Sequence, residues 1–100
     1  MNRADILKKA NEIVTSDRED QYGSPEDNFS LIAKLWSDFL AFPVEPEEVA
    51  VMMILLKVAR IYTGRGKIDN WIDIAGYAAC GGEIQSRAWE VKDEEMHKMR

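Results

Sequence analysis

The chain has one cysteine, Cys80, and one histidine, His97, among its 100 residues. A solitary thiol excludes a disulfide framework and a thiolate metal site. Set among Ala and Gly, Cys80 reads as a small buried hydrophobe. His97 lies in a polar terminal stretch and reads as solvated surface. Glycine and proline are scarce, six and three residues, which leaves no low-complexity linker. Period-two alternation is missing throughout, so strands are not expected. There is no excess of positive charge: 13 Lys and Arg face 18 Asp and Glu, a net charge of −5. That balance argues against general nucleic-acid binding, so any anion site must be local. The longest apolar run is too short to span a bilayer. The start of the chain, MNRADILKKANEI, is amphipathic where a signal peptide would be an apolar block. These absences predict a cytoplasmic helical domain over residues 1–100, with its core at about 3–85 and a charged extension at 86–100.

Four helical segments are legible. Ile6, Leu7, Ala10, Ile13 and Val14 recur at helical spacing, predicting a helix over 3–16 capped by Asn2. Ser24-Pro25-Glu26-Asp27 combines a capping hydroxyl, proline in the first turn and acids at the positive helix end. The helix it starts is expected to reach Leu40 and to bury Phe29, Ile32, Ala33, Trp36 and Phe39. Glu45-Pro46-Glu47-Glu48 repeats the signal for a helix to about Tyr62, stopped by the glycines near Gly64. Asp69 or Asn70 is expected to cap a fourth helix from Trp71, rich in Ala and Gly. Gly76, Gly81 and Gly82 each cost roughly 1 kcal/mol of helix propensity. Close approach by the third helix, or a subunit contact, would compensate. The tail from Ser86 either extends this helix or frays, with Ala88, Trp89 and Met96 as its apolar anchors. The fold class is all-α, an antiparallel bundle of about four helices.

The candidate chemistry begins in the third helix. VAVMMILLKVARI, residues 49–61, is apolar except for Lys57 and Arg60, which share a side of the helix. Cations are rarely buried without an anion beside them. Lys57 and Arg60 therefore either clamp a phosphate or carboxylate ligand or pair with the protein's own acids. Asp69, Asp73 and Tyr77 follow at i, i+4 and i+8 on the fourth helix. Here Asp73 either bridges to Lys57 or Arg60, or shares a divalent ion such as Mg²⁺. Asn70 stands at the same helix start. Arg18, Tyr22 and Asn28 flank a glycine before the second helix, where free N–H groups favour anions. Trp36 and Trp71 fit a core better than a base-stacking platform.

R-E-D-Q-Y-G-S-P-E-D-N-F (18–29), V-A-V-M-M-I-L-L-K-V-A-R (49–60) and D-N-W-I-D-I-A-G-Y-A (69–78) resemble a family of small phage and prophage proteins of unknown function, over about residues 15–85. More distantly the chain resembles helical domains associated with nucleotide modification in phages. More remotely still, it is similar to the all-α nucleoside triphosphate pyrophosphohydrolases of MazG type. Those hold Mg²⁺ with E-x-x-E on one helix and E-x-x-D on another, and this chain departs from both patterns. An incomplete acidic set beside an intact Lys/Arg pair favours holding a nucleotide over cleaving it.

The expectation is thus a homo-oligomeric protein that binds a small phosphorylated nucleotide, by sequestering a defence signal or managing the nucleotide pool. Lys57, Arg60 and Arg18 would take phosphate, Asn28, Asn70 and Asp73 would read polar edges, and Tyr22 or Tyr77 would stack. Two alternatives stand beside it. One is a Mg²⁺-dependent pyrophosphohydrolase with Asp69, Asp73 and Glu48 as ligands. The other is an interaction protein whose charged pair is structural.

Overall fold

The computed structural model describes residues 1–16, 23–64 and 67–98. Among them are four helices and no strand: α1 (Arg3–Val14), α2 (Pro25–Leu40), α3 (Pro46–Thr63) and α4 (Ile68–Lys98). The all-α bundle expected from the periodicity is what the chain forms.

Helix starts follow the local chemistry closely. Asn2 accepts the Asp5 N–H at 2.9 Å while Asp5 accepts the Asn2 N–H at 3.1 Å, a reciprocal capping box. Ser24 accepts the Asp27 N–H at 3.1 Å, with Pro25 in the first turn of α2. At the start of α3 the Glu48 carboxylate accepts the Glu45 N–H at 2.9 Å. Helix ends differ more from expectation. α1 stops at Val14, two residues early, because Thr15 and Ser16 turn their hydroxyls back onto the carbonyls of Asn11 and Ile13. α4 begins at Ile68, before Trp71, so Asp69 occupies its first turn rather than its cap. An acid there still favours the helix through the exposed N–H groups. The tail from Ser86 continues α4 through Lys98.

α3 and α4 form the principal pair. They run antiparallel: Ala50 meets Gly81 near one end and Lys57 meets Asp73 near the other. α1 lies along α4, and α2 packs mainly on α3. The glycines of α4 explain the first contact. A Cβ on Gly81 would stand 2.8 Å from the Ala50 Cβ, and one on Gly76 would stand 3.3 Å from Val14 Cγ1. Close crossing within the chain is what these two residues serve. Gly82 meets nothing within 4 Å.

The core gathers Phe29 and Ala33 of α2, Val49 and Ala50 of α3 and Ile84 of α4, with Trp36, Met53 and Tyr77 packed around them. It is smaller than the pattern promised. Phe39 is 89% exposed, and Leu7, Trp71, Trp89 and Met96 also face outward. Of the apolar run 49–61, Val49 and Ala50 alone are fully withdrawn from water among the described residues. Each helix has its inner face covered, but among the described residues nothing covers the outer faces of α2 and α3. The chain is also extended, 52 Å in its longest dimension, because a helix of 31 residues is about 46 Å long.

Candidate functional site

The end of α1, the first turns of α2 and the N-terminal half of α4 enclose a cleft of about 520 Å³. Its apolar walls are Ala10, Ile13 and Val14 from α1, Phe29 and Ile32 from α2, Met53 from α3, and Ile72, Gly76 and Cys80 from α4. Its polar groups are Asn28, Asp73 and Tyr77. Local structure explains why they meet. The turn into α2 passes through Gly23 at φ +82°, a conformation that disfavours side chains. Ser24 then sets the helix so that Asn28 and Phe29 face α4. Asp73 and Tyr77 are one turn apart on α4 and share that face. The Phe29 and Tyr77 rings lie 6.4 Å apart at 34°, within the range of a favourable aromatic pair.

Asp73 also forms the main cross-helix ion pair, with Lys57 Nζ 3.0 Å from Asp73 Oδ2. The lysine side chain is 13% exposed and the carboxylate 32%. Lys57 is therefore held inside the helix pair with its charge met by the protein's own acid, while Asp73 stays open to water at the cleft wall. This resolves one alternative left by the sequence: Asp73 bridges to Lys57. It does so beside a cleft, not away from one.

The other sequence-selected residues are distributed differently. Arg60 is exposed in the last turn of α3, and no salt bridge to it is formed among the described residues. Asn70 is buried, with its Nδ2 directed toward the α3–α4 turn, 4.0 Å from the position a Cβ on Gly64 would take. Asp69 is exposed. Glu48 serves the α3 cap; nine residues from Lys57, it stands about 13 Å away along the helix axis. Among the described residues no three His, Cys, Asp or Glu side chains stand together as a metal-binding group. Asp69, Asp73 and Glu48 are accordingly not gathered, because the helix start that attracts Glu48 lies at the opposite end of the α3–α4 pair from Asp73. Arg18 and Tyr22 lie outside the described residues.

Two features escaped the sequence reading. The apolar walls of the cleft carry no chemical signal, and only their juxtaposition marks them. Arg87 pairs with both Glu26 of α2 and Glu83 one turn back on α4, the latter at 3.2 Å. The Glu83–Arg87 spacing was visible in the sequence; the long-range partner was not.

The cleft has the size and the mixed lining of a small-molecule site. It offers an amide, a phenol and a carboxylate over apolar walls, with a half-buried aromatic ring. Residues 5–85 match the family described as domain of unknown function (DUF6378). The chain belongs to this family. It is 39% identical over 93 residues to the Gene 55 protein of Mycobacterium phage D29, covering 86% of this chain and 62% of that protein. To the Gene 55 protein of Mycobacterium phage L5 it is 45% identical over 81 residues, covering 80% of this chain and 52% of that protein. The chain thus spans between half and two thirds of the length of these phage relatives. No solved structure matches it. In this phage family the matched segment contains α2, α3, most of α1 and the part of α4 that lines the cleft.

Proposed function

We propose that this protein binds a small phosphorylated nucleotide in the cleft between α1, α2 and α4. The observation that carries the reading is the cleft wall at Asp73, where an ion pair with Lys57 adjoins Asn28 and Tyr77. In this reading Tyr77 stacks on the base, Asn28 hydrogen-bonds a polar edge, and the Lys57–Asp73 pair receives the phosphate end. Arg60, and Arg18 and Tyr22 ahead of α2, supply further phosphate and stacking contacts. Kinship with phage proteins supports a use in the host cytoplasm, and binding without turnover suits sequestration of a nucleotide signal of host defence.

The test is a thermal-shift screen of the full chain against mono-, di-, tri- and cyclic nucleotides, with and without Mg²⁺. Ligand at a hundredfold its dissociation constant adds about 2.7 kcal/mol, a shift on the order of 10 °C for a domain this size. Binding should be lost in Tyr77→Ala and Asn28→Ala, with the bound nucleotide recovered intact. Absence of a shift from the whole panel would refute the proposal. Recovery of a hydrolysed product abolished by Asp73→Asn would replace it with the pyrophosphohydrolase reading.

A further inference from the structure

α3 is apolar on both sides, yet among the described residues only one side is covered. Its inner residues, such as Val49, Ala50 and Met53, pack on α2 and α4. Its outer face carries Val51, Met52, Leu55, Leu56, Ala59 and Tyr62, all exposed, with Leu55 at 60% and Tyr62 at 86%. These positions follow i, i+1, i+4, i+5, i+8 and i+11, one continuous stripe along the helix. Charge enters only at its ends, with exposed Glu48 one turn before Val51 and exposed Arg60 one turn after Leu56. An all-apolar helix is a core or membrane element, and no helix among the described residues is long and apolar enough to cross a membrane. An exposed apolar stripe of this kind marks a protein–protein contact.

We propose that the outer face of α3 is the interface of a two-fold homodimer, α3 lying on α3 of a second copy. Area and self-complementarity favour a second copy as this occupant. The stripe exposes roughly 600 Å² of side-chain surface, the upper limit for a typical monomer's largest patch, and two copies together bury about 1,200 Å², enough for a specific interface. A two-fold contact must be self-complementary, each patch serving as its own partner. A stripe that is apolar along its middle meets that condition without setting the like charges of two chains of net −5 against each other. This inference does not rest on the nucleotide reading.

Sedimentation equilibrium of the full chain tests it, expecting a species of twice 11.4 kDa. Leu55→Glu should sediment as a monomer with unchanged far-UV circular dichroism, because position 55 is already exposed in the isolated chain. Should that variant fail to fold, Leu55→Cys in a Cys80→Ala background provides the second reading. Oxidation should join it into a covalent dimer, whereas Lys8→Cys in the same background should remain single. A wild-type monomer at high micromolar concentration overturns the proposal. So does a dimer that survives Leu55→Glu and is broken by Leu35→Glu on α2, or a patch covered only when an unrelated protein is added.

Discussion

Removing the two partners of the Lys57–Asp73 bridge should not cost the same. The lysine is 13% exposed and the carboxylate 32%, with 3.0 Å between them. Asp73→Ala leaves a nearly buried ammonium with no anion beside it. Such an orphaned charge costs about 3–5 kcal/mol in a dry interior, and partial access of water through the cleft should reduce that to about 2–3 kcal/mol. Lys57→Met preserves the aliphatic stem and leaves a carboxylate that water reaches. Its cost should be about 1 kcal/mol, near the upper end for exposed pairs. The double variant Lys57→Met, Asp73→Ala has no charge left to desolvate. It should lie within about 1 kcal/mol of wild type, as replacements of buried pairs by apolar groups often do.

Urea unfolding of the four proteins measures all three values in one double-mutant cycle. For a domain of this size 1 kcal/mol corresponds to roughly 4–8 °C in Tm, so melting curves give an independent check. A Lys57→Met variant less stable than Asp73→Ala would refute the argument from exposure. A coupling energy below about 0.5 kcal/mol would mean the bridge adds no more than a surface pair.

Four more expectations concern the packing and ends of the helices. Gly81→Ala should destabilise by about 1–3 kcal/mol because the new methyl would sit 2.8 Å from Ala50 Cβ; chemical denaturation reads this directly. One residue on, Gly82→Ala meets open space and should stabilise by about 0.5–1 kcal/mol. Ala41 closes α2 in the left-handed region at φ 53°, so Ala41→Gly should raise Tm by relieving about 1 kcal/mol of strain. Ser37 donates to the Ala33 carbonyl at 2.7 Å and accepts the Val44 N–H at 2.8 Å, so Ser37→Ala should cost about 1–2 kcal/mol and speed amide exchange at Val44.

Local chemistry was the legible part of this chain. The starts of α1 and α2 are written in Asn2, Ser24 and Pro25, each acting on N–H groups within three residues. Stripes of apolar residues were legible too, but not what covers them. Phe39 and Leu55 carry the same hydrophobic signal as Phe29 and Val49. Only the three-dimensional arrangement shows that the first two face away from the core. Spacing also brought Asp73 and Tyr77 to one face, and the turn before α2 brought Asn28 opposite them. One residue type can serve two purposes. Glu48 reads equally as a metal ligand and as a cap, and the free N–H of Glu45 claims it. Asn70 reads as a ligand contact, and it is buried with its Nδ2 near Gly64.

The bridge also constrains what form of ligand suits the cleft. A phosphate cannot find Lys57 as a bare cation, since Asp73 already neutralises it. To reach the ammonium it must displace the carboxylate, which then needs a new partner. Asp73 has one close at hand in water, because it lines the open cleft, so the exchange avoids burying a naked anion. It has a better one if the nucleotide arrives with a divalent cation: the phosphate meets Lys57, the cation meets Asp73, and each of the two side chains keeps an opposite charge beside it. Hard divalent cations prefer this mixture of one protein carboxylate with phosphate oxygens and waters over an all-protein cage. A single carboxylate beside a lysine suits a ligand that carries its own metal, and affinity should separate most clearly between the arms of the nucleotide screen with and without Mg²⁺.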